Sequence, residues 1–196
     1  MQVTTRSVAS AARRAQILDA TIAVIAAEGF ASASFKRIAD QAALSSTRLI
    51  SYHFAGKGEL MSALVEHVVT GIGDHVGALV MTQATPSGRL AAYIEGVVGF
   101  SDTHRNEMSA LLQVVMAGAG GATTAEPSDV SHLERILRDG QEAGAMRVFD
   151  VSVMATTIQR AVEAVPFQLQ SEPGLDCAAY SRELVALFDR ATRADA

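Results

Sequence analysis

A chain of 196 residues, 49% of them hydrophobic, is long enough to bury a core, and its length favours a small domain joined to a larger one. Its apolar stretches are far shorter than the roughly 20 residues of a membrane-spanning helix, and its N-terminus carries no pattern typical of a secretory signal, so we expect a cytoplasmic protein without membrane contact. The single cysteine, Cys177, has no partner for a disulfide or a paired-cysteine zinc motif, so we interpret it as a packing residue and expect no metal and no cofactor.

The N-terminal third predicts three helices and the start of a fourth. Apolar residues recur at intervals of three and four, the spacing of amphipathic helices, whereas the alternation typical of strands is scarce. The first helix is predicted from Ala11 to Glu28, with residues 1–10 frayed, and Gly29 ends it. Ser34 is the predicted N-cap of a short second helix, a tight turn follows at 44–46, a short third helix covers 47–54, and a long fourth helix covers 57–80.

The rest of the chain has the same periodicity, so the sequence predicts an all-α fold of about nine helices. The segment from Gly118 to Pro127 is rich in Gly, Ala and Thr and predicts a mobile loop. The remaining helices are predicted over residues 87–103, 105–117, 128–143, 151–170 and 176–193.

The net charge of −5 is unevenly distributed along the chain. Residues 1–60 carry seven basic and four acidic side chains, a balance of +3, whereas the remainder carries nine basic and 17 acidic side chains, a balance of −8. Opposite signs favour an N-terminal module that meets a polyanion and a C-terminal module that avoids it. We therefore expect one domain over residues 1–56 and another over residues 57–196.

Two short helices joined by a short turn and packed on a longer helix describe a helix-turn-helix. Ile50 and Phe54 lie on one side of the second short helix, where they can anchor it to the core. Its polar side chains lie on another side and provide hydroxyls, one guanidinium and a phenol, which suit contacts to phosphates and base edges. These polar residues are Thr47, Arg48, Ser51 and Tyr52.

An ordered set of short motifs runs through this segment. In chain order they are Arg14-x-x-Ile17-Leu18-x-Ala20, Glu28-Gly29-Phe30, Ser34-Phe35-x-x-Ile38-Ala39, Leu44-Ser45 and Tyr52-His53-Phe54-x-x-Lys57-x-Glu59-Leu60. At these spacings the set resembles the N-terminal signature of the TetR/AcrR family. The resemblance implies an N-terminal three-helix, helix-turn-helix DNA-binding domain, followed by a helical domain that binds a small effector and dimerises. It implies a ligand-responsive transcriptional regulator and no enzymatic activity.

The resemblance also implies roles for single residues in double-stranded DNA binding. Ser34 and Lys36 approach the DNA backbone, the polar face of the third helix enters the major groove together with the preceding Ser45 and Ser46, and His53 and Lys57 hold phosphates. The sequence departs from the family at Ala43, where glycine is usual, and we expect a right-handed backbone there. The stretch from Leu44 to Phe54 is one residue longer than the usual pattern, which leaves the register of Ser45 to Arg48 open.

Simpler interpretations of these residues remain. His53 is alternatively a structural histidine, Tyr52 a core residue, and Arg48 and Lys57 solvated surface charges. A chain that kept the helix-turn-helix only as a scaffold for protein contacts is a further alternative. A metal oxidase built in a helical bundle would need Glu-x-x-His pairs, and the sequence contains none.

Large, adaptable side chains of the C-terminal helices predict an effector pocket, because methionines and aromatic rings adapt to varied ligands. The alternative for each is an ordinary core residue. His104 and Arg105 are candidate polar anchors. The apolar candidates are Met61, Tyr93, Phe100, Met108, Leu112, Met116, Met154, Ile158 and Phe167.

Two apolar stripes near the C-terminus predict a homodimer held by a four-helix bundle. Twofold symmetry then predicts a palindromic operator, with two reading helices about 34 Å apart. The expected function is that of a repressor released when an effector tilts the fourth helix. The stripes consist of Met154, Ile158, Val162 and Val165 on one helix and Tyr180, Leu184, Leu187 and Phe188 on the other.

Overall fold

The computed structural model describes residues 2–121 and 130–194, with side chains from residue 8 onward. Within these ranges every regular element is a helix, apart from one isolated antiparallel bridge between Met146 and Arg193, so the all-α prediction is confirmed. The helices are α1 (Gln2–Glu28), α2 (Phe35–Gln41), α3 (Arg48–His53), α4 (Lys57–Met81), α5 (Pro86–Thr103), α6 (Arg105–Met116), α7 (Ser131–Glu142), α8 (Val151–Glu163), α9 (Val165–Ser171) and α10 (Cys177–Thr192), with a 3₁₀ turn at Phe30–Ser32.

The chain forms two compact units. The first combines residues 1–70 with 106–126, and the second combines residues 71–105 with 127–196. The division predicted between residues 56 and 57 concerns the separation of DNA-binding and effector-binding roles, and it stays a prediction. None of the helices in the described ranges is long and apolar enough to cross a membrane.

The first unit is built on α1, whose buried residues follow the helical period. Ile17 and Ile25 of α1 are fully buried, as are Ile38 of α2 and Ile50 of α3. The local signals hold: Gly29 takes a positive φ of 87° where α1 ends, and the Ser34 hydroxyl accepts the Arg37 backbone N–H at the start of α2 (3.2 Å).

One helix boundary differs from the prediction, and another predicted boundary lies outside the described residues. Helix α1 begins at Gln2 and not near Ala11, because residues 2–12 contain no glycine or proline that would stop a helix. The predicted loop at 118–127 lies outside the described residues from position 122 onward, as does the predicted start of the next helix at 128.

The second unit packs α5 against α7, α8, α9 and α10, around a core that includes Ile94, Leu137 and Ile158. The single helix predicted over 151–170 is wrong, since Ala164 separates α8 from α9. Pro166 stands in the first turn of α9. Its ring clashes with the preceding turn and it lacks an N–H, so a continuous helix cannot pass through it.

Candidate nucleic-acid interface

Helix α3 presents a polar side to solvent and an apolar side to the core of the first unit. Tyr52 is 81% exposed, whereas Phe54, at the C-cap, is 1% exposed. Thr47, Arg48 and Ser51 are exposed as well. The alternative that Tyr52 is a core residue is therefore wrong, and the predicted asymmetry of the helix is confirmed.

Leu49 extends the exposed side of α3, and sequence reasoning missed it. The side chain is 36% exposed beside Arg48. Its apolar character favoured a core position, but it falls outside the i, i+4 spacing of Ile50 and Phe54. An apolar side chain here has the chemistry to contact a thymine methyl group.

Ala43 keeps the left-handed backbone that the turn requires, contrary to the right-handed backbone expected from the sequence. Its φ is +51°, and among the described residues no other non-glycine has a positive φ. The Leu44 N–H donates to the Ala39 carbonyl (2.9 Å) and the Ala43 N–H to the Asp40 carbonyl (3.2 Å). This pair of bonds closes the end of α2 and requires a left-handed residue between them. The turn thus has the geometry that a glycine would give.

Replacing Ala43 with glycine is expected to stabilise the first unit by about 0.5–1 kcal/mol, because glycine removes the strain of an alanine at positive φ. The denaturant midpoint should rise with an unchanged m-value. Ala27→Gly is the matched control, since Ala27 is exposed within α1. Glycine within a helix should lower the free energy of unfolding by a similar amount. A destabilised Ala43→Gly variant would contradict the assigned turn.

Two serine hydroxyls bond the backbone at the starts of the short helices: Ser34 is the N-cap of α2, and Ser46 lies just before Thr47, the N-cap of α3. The Ser46 hydroxyl accepts the backbone N–H of Arg48 (3.1 Å) at the start of α3, as Ser34 does for α2. A capping hydroxyl still has its own O–H to donate. Both serines, together with the exposed Lys36 and Ser45, therefore remain available to phosphate oxygens.

The two predicted phosphate ligands lie at the end of α3 and the start of α4. Lys57 is exposed, and its ammonium donates to the Phe30 carbonyl (3.4 Å) and lies 4.6 Å from the centroid of the Phe30 ring. His53 is half-buried and meets Tyr52 edge to face, with ring centroids 5.1 Å apart. The ammonium is thus held in one place beside the α3–α4 junction.

Arg14 fixes this junction from α1, a role that the sequence motif did not reveal. Its guanidinium donates to the His53 carbonyl at the end of α3 (2.8 Å) and lies 4.2 Å from the centroid of the Phe54 ring. It also approaches the Glu59 carboxylate (3.8 Å), which accepts the Ala55 N–H (2.7 Å). The Arg14 side chain therefore positions α3 relative to α1 and the start of α4.

The Gln113 side chain of α6 bonds the backbone at the C-terminal end of α1. Its side-chain N–H donates to the Ile25 carbonyl (3.2 Å), and its side-chain oxygen accepts the Phe30 N–H (3.0 Å). These two bonds cross the end of α1, where the helix leaves backbone groups unsatisfied. Because 83 residues separate Gln113 from Phe30, no local sequence signal indicated the contact.

Gln113→Leu is expected to destabilise the first unit by about 1–3 kcal/mol, because it leaves a backbone donor and a backbone acceptor without their partner. Gln113→Glu keeps the acceptor for Phe30 and should cost less. Denaturant unfolding measures both, with Gln170→Leu at an exposed position of α9 as control. Equal stability of the Gln113 and Gln170 variants would exclude the bridging role.

The effector candidates belong partly to the first unit and partly to the second, and the two groups are described separately. Met61 and Met108 are buried in the first unit, where Leu112 is half-buried and Met116 exposed. In the second unit Phe100 stacks on the ring of His104 (centroids 4.0 Å apart), and the Tyr93 hydroxyl donates to the Gln159 side chain (2.5 Å). Arg105 is occupied by Asp102 and the Pro173 carbonyl. The other candidates of this unit are Ile158, which is buried, Met154, which is half-buried, and Phe167, which is exposed.

Four of the predicted dimer residues belong to the core of the second unit. Ile158, Val162, Val165 and Phe188 are buried in the chain by itself, so they have no surface left for a partner. An apolar stripe does not distinguish the chain's own core from an interface. The exposed or half-buried members of the same helices remain as candidates: Met154, Tyr180, Leu184 and Leu187, together with Val153 and Phe167.

Known proteins share both the N-terminal sequence and the fold. Residues 17–64 match the family model of bacterial regulatory proteins of the tetR family. The HTH-type transcriptional regulator BetI of Pectobacterium carotovorum is 34% identical over 96 residues, 48% of each chain, so this chain spans about half the length of the curated relatives it matches.

Two solved structures have the same fold across most of this chain. One is described as showing the molecular basis for control of antibiotic production by bacterial hormones, with a TM-score of 0.77, 23% identity and coverage of 92% of this chain and 97% of that one. AibR, in complex with isovaleryl coenzyme A and operator DNA, has a TM-score of 0.71 at 16% identity and covers 89% and 97%.

These matches agree on one class of similar proteins. The helix-turn-helix formed by α2 and α3 lies within the segment that matches the tetR family model, and the matched relatives are named as transcriptional regulators. Over residues 17–64 the chain is similar to bacterial regulatory proteins of the tetR family.

Proposed function

We propose that the protein is a transcriptional repressor that binds a palindromic operator as a homodimer and releases it when a small effector binds. The observation that carries the DNA-binding role is the polar face of α3, which projects Tyr52 and Arg48 into solvent while Ile50 and Phe54 anchor the helix. The basic balance of residues 1–60 supports the same role. Action on chromosomal DNA makes a cytoplasmic location part of the proposal.

The test begins with selection of duplex sites bound by the purified full chain, followed by affinity measurements at several salt concentrations. Phosphate contacts release counterions, so the logarithm of the binding constant should fall steeply and linearly with the logarithm of salt concentration. The selected sites should be palindromic, with half-sites about one helical turn apart. Failure to enrich any duplex sequence would reject the function and favour a scaffold for protein contacts.

The homodimer is proposed to use the side of α8, α9 and α10 that the core leaves uncovered. Leu187 on α10 is 57% exposed, and it continues the half-buried positions Tyr180 and Leu184 along one face. Exposed Val153 of α8 and Phe167 of α9 add further apolar surface. A twofold partner would cover these residues and align two reading helices.

Leu187→Glu is expected to convert the dimer to a monomer and to reduce affinity for a full palindrome towards that for a half-site, since it places a charge in an apolar contact. Sedimentation measures the first effect and a DNA titration the second. Val148→Glu is the control, because Val148 is 89% exposed and lies outside these helices. A Leu187→Glu protein that still sediments as a dimer would rule out this interface.

Effector release is proposed to act through α4, which begins at the junction held by Arg14 and Glu59. A ligand that displaces α4 would displace the end of α3 with it and change the spacing of the half-sites. AibR, which has the same fold, is described in complex with isovaleryl coenzyme A and operator DNA, and this supports the presence of a small-molecule site in a protein of this fold. Coupling of about 1–3 kcal/mol would weaken operator binding roughly 5- to 150-fold, which titration of candidate effectors against the operator complex measures.

A further inference from the structure

Phe30 contacts the ammonium group of Lys57 in two ways. The ammonium donates to the Phe30 carbonyl (3.4 Å), and it lies 4.6 Å from the centroid of the Phe30 ring. A cation within about 6 Å of a ring centroid is attracted to the aromatic face. Lysine has a long side chain with many rotamers, and ordering it costs free energy. The position of Phe30 therefore determines where the charge of Lys57 is held.

Phe30 depends on another helix for its own position. Gly29 leaves the helical conformation at the end of α1 (φ 87°, ψ 158°) and has no side chain that could cap the 3₁₀ turn Phe30–Ser32. The Phe30 N–H, which opens this turn, donates to the side-chain oxygen of Gln113 in α6 (3.0 Å). Gln113 and Lys57 thus bond the N–H and the carbonyl of the same residue. A change in the backbone of Phe30 would move its ring and its carbonyl together.

Hydrogen bonds from its amide nitrogen fix the direction of the Gln113 side chain. The amide donates to the Ile25 carbonyl in the last turn of α1 (3.2 Å) and to the Ser109 hydroxyl, one turn earlier on α6 (3.3 Å). A primary amide has two N–H donors and one oxygen, so both donors are used and the oxygen faces Phe30. The half-buried Gln113 side chain therefore has one orientation between the end of α1 and the 3₁₀ turn.

The segment that follows α6 lies close to α4, the helix that begins with Lys57. Gly120 has a positive φ of 75°, and a Cβ atom on it would lie 3.0 Å from the Met61 carbonyl oxygen and 3.1 Å from the Val65 side chain. Glycine permits this close approach because it has no Cβ atom. Met61 is about one turn after Lys57 on α4. The end of α6 is therefore placed against the same helix whose ammonium Gln113 reaches through Phe30.

We infer that Gln113 is a positioning residue for DNA binding. It holds Phe30, and Phe30 holds the Lys57 ammonium in the place where it meets a DNA phosphate. The inference rests on the proposed function, because Lys57 is a phosphate ligand only if the chain binds DNA. Without the Gln113 amide, the Phe30 N–H turns to water and the ammonium loses a fixed support. The Lys57 side chain must then be ordered when DNA binds, which lowers the affinity.

The first test follows the Lys57 ammonium in the free protein. The chain has two lysines, Lys36 and Lys57, so reductive methylation with an isotope-labelled reagent gives few NMR signals, which a Lys36→Arg variant assigns. The Phe30 ring should shift the Lys57 methyl signal upfield of that of the exposed Lys36. Gln113→Leu should move the Lys57 signal towards that of Lys36. Asn106→Leu is the matched control, because Asn106 is an exposed amide on the same helix. A Lys57 signal that stays in place in Gln113→Leu would overturn the inference.

The second test is a double-mutant cycle on affinity for the selected operator. Lys57→Gln should lower the affinity about 10-fold or more by removing a charged hydrogen bond. It should also reduce the slope of log affinity against log salt concentration by about one for each half-site. Gln113→Leu should lower the affinity about 5-fold in the wild-type background but less than about 2-fold in the Lys57→Gln background, and it should reduce the salt slope in the same direction. Asn106→Leu should leave affinity and slope unchanged. Losses that add fully in the double variant would overturn the inference.

A milder variant and the wild-type chain separate the possible outcomes. If Gln113→Leu does not fold, Gln113→Ala decides by the same two measurements, because water can reach the groups freed at this half-buried position. A wild-type chain that binds no duplex DNA would reject the proposed function and the inference together. A wild-type chain that binds its operator, with additive losses or with no loss in Lys57→Gln, would overturn the inference alone.

Discussion

Tyr52→Ala is expected to lower affinity for the selected operator by about 1–3 kcal/mol, roughly 5- to 150-fold. The side chain is 81% exposed, so its removal should change the free energy of unfolding by no more than about 0.5 kcal/mol. Its contact with His53 is a single edge-to-face pair of rings. Affinity and stability therefore separate in this variant, as expected for a residue that reads DNA and supports no core.

Arg48→Ala should give a loss of the same size, and Arg48→Lys tells how the side chain acts. A lysine keeps the charge for a phosphate but loses the planar, bidentate geometry that recognises guanine. If Arg48 reads a base, the lysine variant should lose discrimination between the selected site and a mutated one. If Arg48 holds a phosphate, lysine should preserve most of the affinity.

The matched controls belong to the second unit, outside the helix-turn-helix segment. Arg190→Ala removes one exposed charge from α10, and Val148→Ala removes exposed apolar surface. Both should leave operator affinity nearly unchanged. Operator binding by Tyr52→Ala and Arg48→Ala that equals binding by these controls would remove α3 from the DNA interface.

Local signals in the sequence were sufficient wherever neighbouring residues determine the structure. The Ser34 cap, the Gly29 stop and the spacing of Ile50 and Phe54 each act within one or two helical turns, and the structure confirms all of them. The same signals gave the two faces of α3. Pro166 is an equally local signal, and it argues against the continuous helix predicted over 151–170.

The features that the sequence did not predict depend on hydrogen bonds and packing that are visible only in the folded chain. Ala43 adopts a left-handed backbone because two hydrogen bonds close the end of α2 around it, which overrides the preference of alanine. Arg14 and Gln113 reach carbonyl groups that are 39 and 88 residues away in sequence. Periodicity marked Ile158 and Val162 as apolar, but only the packed chain shows that its own core covers them.

Phe54→Ala is expected to cost about 3–5 kcal/mol, the largest effect on stability among these variants, because it leaves a cavity in a core that cannot fully collapse. The side chain is 1% exposed, and its ring carries the Arg14 guanidinium at 4.2 Å. Against a total stability of about 5–15 kcal/mol for a typical domain, this loss would leave the first unit close to unfolding.

Two further variants separate the contribution of the Phe54 ring volume to stability from that of the Arg14 side chain. Phe54→Leu keeps most of the volume and should cost only about 1–2 kcal/mol, and Arg14→Met in the wild-type background should cost less than Phe54→Ala. Thermal and denaturant unfolding measure all three, and a reduced m-value for Phe54→Ala would indicate that α3 has already detached from the platform. A cost below about 1 kcal/mol would mean that α3 is not anchored through Phe54. In that case the reading helix would lack the rigid support on which its exposed polar face depends.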